Sequence, residues 1–257
     1  MQRARRLASV AVVAAVAVIG LSACRSQPDV AAYSDAGNIS VQRVQQVYDD
    51  AATKHDRDQA RLAATGGAQP SPSGTTAPDK VALTGSDVLR TLLTHDVLVR
   101  LAQRHNVAIP PATALDQYAA VTRLPADSEY LRMLVETENL GVALAQSEPA
   151  GTLTAADTQD IYNTIKSQNA IAPGTTVEQF AGQLSAEGKK ALGAAIAVRN
   201  EARDDLNKQH VRLNPRYQVS ELPVLVQRGQ DGSPLTLVAT PVGRSGSSAP
   251  VEQVSAP

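Results

Sequence analysis

Residues 85–107 read "GSDVLRTLLTHDVLVRLAQRHNV" and constrain the fold more than any other stretch. At helical spacing, Val88, Leu92 and Val99 share one face, and Leu89, Leu93 and Val97 share another. A helix apolar most of the way round has no side for water and must sit centrally. The chain therefore needs other elements to surround this helix. Aromatic residues make up only 3% of the 257, with one Phe and no Trp, against 43% apolar residues. The core must be built from Ala, Val and Leu, which suits packed helices better than a sheet sandwich. The expected class is mostly α, with one large or two small domains.

Further helices follow from periodicity and caps. Ser40 is an N-cap candidate for a helix with Val41, Val44, Val47, Tyr48, Ala51 and Leu62 in register. Arg43 stands where a capping box wants Glu, so that cap is partial. "IPP" (109–111) should open a helix over 112–121 with Pro in its first turn. Residues 128–147 form another amphipathic helix, and Thr154 with Asp157 starts one running to Lys166. Thr175 with Glu178 matches a capping box opening a long helical stretch to His210, interrupted near Gly182 to Gly188. "VAAY" near the N-terminus reads as a strand followed by the turn "SDAGN". "VRLNPRYQVSELPVLVQRG" and "SPLTLVATP" flank "GQDG" and read as short strands with a hairpin turn. Residues 65–80 are Gly/Pro/Ser/Thr-rich and read as a flexible linker, and 243–257 as a disordered tail.

The N-terminus has three parts. "MQRARR" is basic, "LASVAVVAAVAVIG" is apolar, and "LSAC" follows. This is the order of a signal peptide, and the apolar run is short for a membrane span. An uncleaved anchor helix is the alternative. "LSAC" resembles the lipobox of bacterial lipoproteins. The resemblance implies cleavage between Ala23 and Cys24, with lipid on the Cys24 thiol. Residues 1–23 would then be the signal peptide and 24–28 a lipidated tether at the extracytoplasmic face of the cell membrane. Cys24 is the sole cysteine, so an internal disulfide is excluded.

The charge balance narrows the partners. Loss of three arginines with residues 1–23 leaves 21 of the 24 basic side chains against 25 acidic ones. A mildly acidic chain with few aromatics offers neither a phosphate-binding surface nor a base-stacking platform, so no nucleic-acid partner is expected.

Motifs with a chemical mechanism are missing. The sequence has no Gly-rich phosphate loop at a strand–helix junction, and no G-x-S-x-G, H-E-x-x-H or C-x-x-C. His95 shares a face with Leu92 and Val99 and reads as a partly buried core histidine. His105 lies near a helix end, where a cation suits the macrodipole. His55 lies beside Asp56 and Asp58, metal-ligating residue types without a metal motif. The fourth histidine is His210. Glu136 and Glu138 are two apart and face different directions, so they are no acid/base pair. "RNEARDD" (199–205) reads as a solvated helix face. Catalytic residues, metal ligands and cofactors are expected to be none.

The order of elements resembles one family. "VAAY…GNISVQRVQQVYDDA", then "VLRTLLTHDVLVRLAQRHNVAIPPA", then a long helix ending in "VRLNPRY", is similar to the N-terminal module of SurA-type chaperones and foldase lipoproteins. The likeness covers roughly residues 29–219 without the linker. It implies a helical domain over 29–242 in which Asn-Pro-Arg-Tyr begins a last strand beside the N-terminal one. It also implies chaperone-like binding of unfolded or secreted polypeptides. Many relatives insert a parvulin-type prolyl isomerase domain before the last long helix. The gap from Ser147 to Thr175 is too short for one, so no enzymatic activity is expected. The alternative is an adaptor lipoprotein for one envelope partner. An open apolar cleft would favour chaperoning, and a closed bundle the adaptor.

Overall fold

The computed structural model describes residues 29–65, 80–149, 151–229 and 232–242. Ala23, Cys24, the leader, the tether, nearly all of the 65–80 linker and the 243–257 tail lie outside the described residues. The fold is mostly helical with a few short strands, the expected class. The elements run β1 (Val30–Tyr33), β2 (Ile39–Ser40), α1 (Val41–Ala64), α2 (Gly85–His105), α3 (Leu115–Thr122) and α4 (Glu129–Ser147). They continue with α5 (Ala155–Ser167), α6 (Val177–Gln183), α7 (Ala186–Lys208), β3 (Arg212–Leu213), β4 (Glu221–Arg228) and β5 (Pro234–Pro241). None of these helices is long and apolar enough to cross a membrane.

Helix α2 takes the central place that its two apolar faces require. It packs against α1, α4, α7, β1 and β4. Its Leu89, Leu98 and Leu101 are fully buried with Leu131, Leu140 and Leu144 of α4. Thr84 and Asp87 form a reciprocal capping box at its start, and Asn106 in the left-handed conformation ends it. Helix α1 is capped by the Ser40 hydroxyl, which accepts from the Arg43 N–H. The Arg43 side chain cannot complete a box. It reaches instead to Glu129, with both guanidinium nitrogens on the two carboxylate oxygens at 3.2 and 2.5 Å. Val44, Val47 and Ala51 are buried as expected, but Leu62 is 48% exposed, because α1 runs past the core.

β1 lies between β2 and β3, antiparallel to both. The strand beside β1 is thus Arg212–Leu213, and Asn-Pro-Arg-Tyr follows it as a turn instead of beginning it. Asn214 closes the arrangement. Its backbone N–H donates to Ala31 and its side-chain amide donates to Val30, each at 2.9 Å. β4 and β5 form a separate antiparallel hairpin laid over α4, α5 and α7. At Gly141 of α4 a Cβ would stand 2.2 Å from the Val224 carbonyl, so the hairpin can approach only over glycine. A Cβ on Gly193 of α7 would likewise stand 2.3 Å from the Gly151 carbonyl.

Three sequence expectations shift. The helix foreseen over 112–121 begins at Leu115, after Ala114 in the left-handed conformation. Pro111 is outside it, and its carbonyl accepts from the Asn139 amide of α4 at 3.1 Å. The capping box foreseen at Thr175 and Glu178 is at Thr176 and Gln179, one residue later. Thr175 is otherwise engaged, its carbonyl accepting the Tyr162 hydroxyl at 2.7 Å. The stretch to His210 is two helices, parted at Leu184 and Ser185, where Ser185 caps α7. The break falls within the foreseen interval.

Candidate functional site

A cleft of about 320 Å³ lies between α5, α7 and β5. Asp160, Asn163 and Thr164 of α5 form one wall, and Ile196, Arg199 and Arg203 of α7 form another. Leu237 to Pro241 of β5 form the floor. The lining mixes apolar and polar side chains, so the cleft is not an apolar groove.

Arg199 organises this site. Its guanidinium donates to Asp157 at 3.0 Å, Asp160 at 3.4 Å and Asn200 at 3.3 Å. Burial opposes ionisation of Asp157. The Thr154 hydroxyl and N–H that box the helix start, and then Arg199, outweigh it and hold the carboxyl below its usual range. Arg199 is only 14% exposed, and its Nε makes no hydrogen bond. Among the described residues, three buried side-chain atoms lack a partner: Arg199 Nε, Arg228 Nε and Thr240 Oγ1. Two of the three belong to residues lining the cleft. Both atoms are sealed from solvent behind the cleft walls, so they are unpaired polar atoms of the packing beneath the cleft.

β5 also carries a cue for what the cleft can hold. The Gln168 side chain, just past α5, reads the backbone of Thr236 in both directions. Its amide donates to the Thr236 carbonyl and its oxygen accepts the Thr236 N–H, at 2.8 and 2.9 Å. This is the pattern a neighbouring strand would make. Thr236 stands one residue before the part of β5 that floors the cleft.

The singled-out residues distribute as follows. His95 is partly buried, as foreseen, with its Nε2 2.9 Å from Glu136. Glu136 and Glu138 point apart, the latter to Arg228 at 3.1 Å. His55 is buried at 7% exposure, and Asp58 pairs with Arg61. The charge run 199–205 is not simply a solvated face. Asp205 is 2% exposed and accepts from Arg100 at 2.7 Å and from Arg104 at 2.9 Å. Arg199 turns inward as well. The run looks solvated because its partners lie on α2 and α5, far away in sequence. His105 meets Glu148 and Glu201, a grouping no local motif announces.

The cleft itself was not legible in advance. Arg199 and Thr240 are ordinary letters until α7 and β5 are brought together. Comparison with protein-family models, with curated proteins and with solved structures finds no match.

Proposed function

We propose that the chain is a lipid-anchored extracytoplasmic protein that binds polypeptide in a chaperone-like manner and catalyses no reaction. Its membrane attachment would be the lipid on Cys24. The bound segment is an extended one that lies in the cleft and continues the backbone pairing already made by Gln168. The carrying observation is the cleft along β5, with the backbone of Thr236 at its end already read in both directions by Gln168. Strand addition of this kind draws affinity from main-chain hydrogen bonds and tolerates varied side chains. The resemblance to SurA-type modules supports the same reading. Between α4 and α6 the chain holds the single helix α5, in keeping with the short gap read from the sequence.

A filled cleft tests this. Asn163 is exposed on the α5 wall, and Asn163→Trp would occupy the space without touching the core. The chain lacking residues 1–24 should suppress aggregation of unrelated unfolded clients, and the Trp variant should not. Suppression by neither protein at several-fold excess would remove the proposal.

The adaptor reading keeps one observation in its favour. Exposed large apolar side chains among the described residues are few: Leu62, Ile109, Val121 and Val142. Such a surface suits a defined partner better than a spread of apolar clients. It predicts one saturable envelope partner and no suppression of unrelated clients.

A further inference from the structure

We propose that His105, Glu148 and Glu201 form a site for a divalent transition-metal ion of the zinc type. The three side chains come from three helices. His105 is the last residue of α2, Glu148 is the C-cap of α4, and Glu201 lies within α7. Their donor atoms lie within 4.8 Å of one another. The imidazole stands between the acids, with Nδ1 3.2 Å from Glu148 and Nε2 2.7 Å from Glu201. Zinc–ligand bonds of about 2.0–2.2 Å place tetrahedral donors roughly 3.5 Å apart. Binding requires the imidazole to turn so that one ring nitrogen faces the ion together with both carboxylates, which here meet different ring nitrogens.

Charge points to a cation. Glu148 and Glu201 form ion pairs only with His105 among the described residues, and Glu148 is just 11% exposed. The neighbouring Arg104 is committed to Asp205. α2 and α4 also end here, and helix C-termini add negative potential. One imidazole nitrogen with two carboxylates suits zinc, cobalt or manganese and disfavours soft, thiolate-seeking ions. Three protein donors leave one position for water or a partner's ligand. The site does not depend on the polypeptide-binding reading, because Glu201 is two residues from Arg199 and faces away from the cleft wall.

The competing state is an imidazolium held by two glutamates with no metal. Cobalt titration separates them, using the full-length chain in detergent, treated with chelator and with any free Cys24 thiol alkylated. One Co²⁺ per chain should bind with visible d–d bands, and Zn²⁺ should displace it. His105→Gln and Glu201→Gln should each weaken binding tenfold or more, and His95→Gln should leave it unchanged. Absence of stoichiometric binding, or equal affinity in the wild type and His105→Gln, would overturn the site. If circular dichroism shows His105→Gln unfolded, the more exposed Glu201 decides: undiminished binding in Glu201→Gln overturns the proposal. Displacement by Ca²⁺ as effective as by Zn²⁺ would overturn its zinc character.

Discussion

Glu138 of α4 and Arg228 of β4 meet at 3.1 Å, a buried ion pair that joins the helical core to the hairpin. The same guanidinium is centred 3.6 Å from the Tyr118 ring, which ties α3 to the junction. Burial pushes the Glu138 carboxyl up, and Arg228 only partly offsets it. A carboxyl raised on folding contributes stability below its unfolded pKa and loses it as pH rises through the folded value. Asp157 is lowered, so its contribution is present above the unfolded value and is lost on acidification through the folded one. Denaturant titrations across the carboxylate range should therefore show opposite trends. The advantage of wild type over Glu138→Gln should shrink as pH rises, and that over Asp157→Asn should grow. Parallel trends would contradict the assigned environments.

Two glycine substitutions should have opposite signs. At Gly141 a Cβ would collide with the Val224 carbonyl, a backbone atom that cannot rotate aside as a side-chain tip could. Gly141→Ala should cost about 1–3 kcal/mol despite its better helix propensity. At Gly182 in α6 nothing lies within 4 Å, so Gly182→Ala should stabilise by about 0.5–1 kcal/mol. Urea midpoints of the two variants measure the contrast.

Asp205 holds two arginines at once, but they are not equally sheltered. Arg100 is 26% and Arg104 is 44% exposed. Breaking a fully buried pair costs about 3–5 kcal/mol because a charge is stranded. Here the released arginines can return to water. Asp205→Asn should thus cost nearer the ~1.5–3 kcal/mol of a charged hydrogen bond. A loss above that range would mean that the arginines stay trapped.

Asn214 sits at the junction between β1 and the segment after β3, with its amide on the Val30 carbonyl. Asn214→Ala should cost roughly 1–2 kcal/mol, and hydrogen exchange at Val30 to Tyr33 should accelerate more than at α4. Uniform acceleration would show that β1 opens only with the whole fold.

The sequence carried the helices well, for a physical reason. Caps and apolar periodicity are local, so Ser40 and Thr154 with Asp157 act within three or four residues of themselves. Errors arose where a distant group intervened. Asn139 holds Pro111 out of the helix it was expected to start, and Tyr162 takes the Thr175 carbonyl. The charged run 199–205 misled for the same reason, since Arg100 and Arg104 are about a hundred positions from Asp205. The cleft and the His105 group are both made by elements that meet only in the folded chain, and neither leaves a local spacing to find.

The closure of β1 by β3 has a kinetic consequence. Val30 and Asn214 are 184 positions apart, so the contact between them closes a loop that contains every described helix. A chain that emerges N-terminus first keeps one edge of Val30–Tyr33 open until Leu213 arrives. That contact closes a long loop, which slows folding and leaves the edge exposed to wrong pairing in the meantime. The pairing of β3 with β1 is then a long-range closing step. Its rate should be set by the C-terminal segment rather than by the central helix.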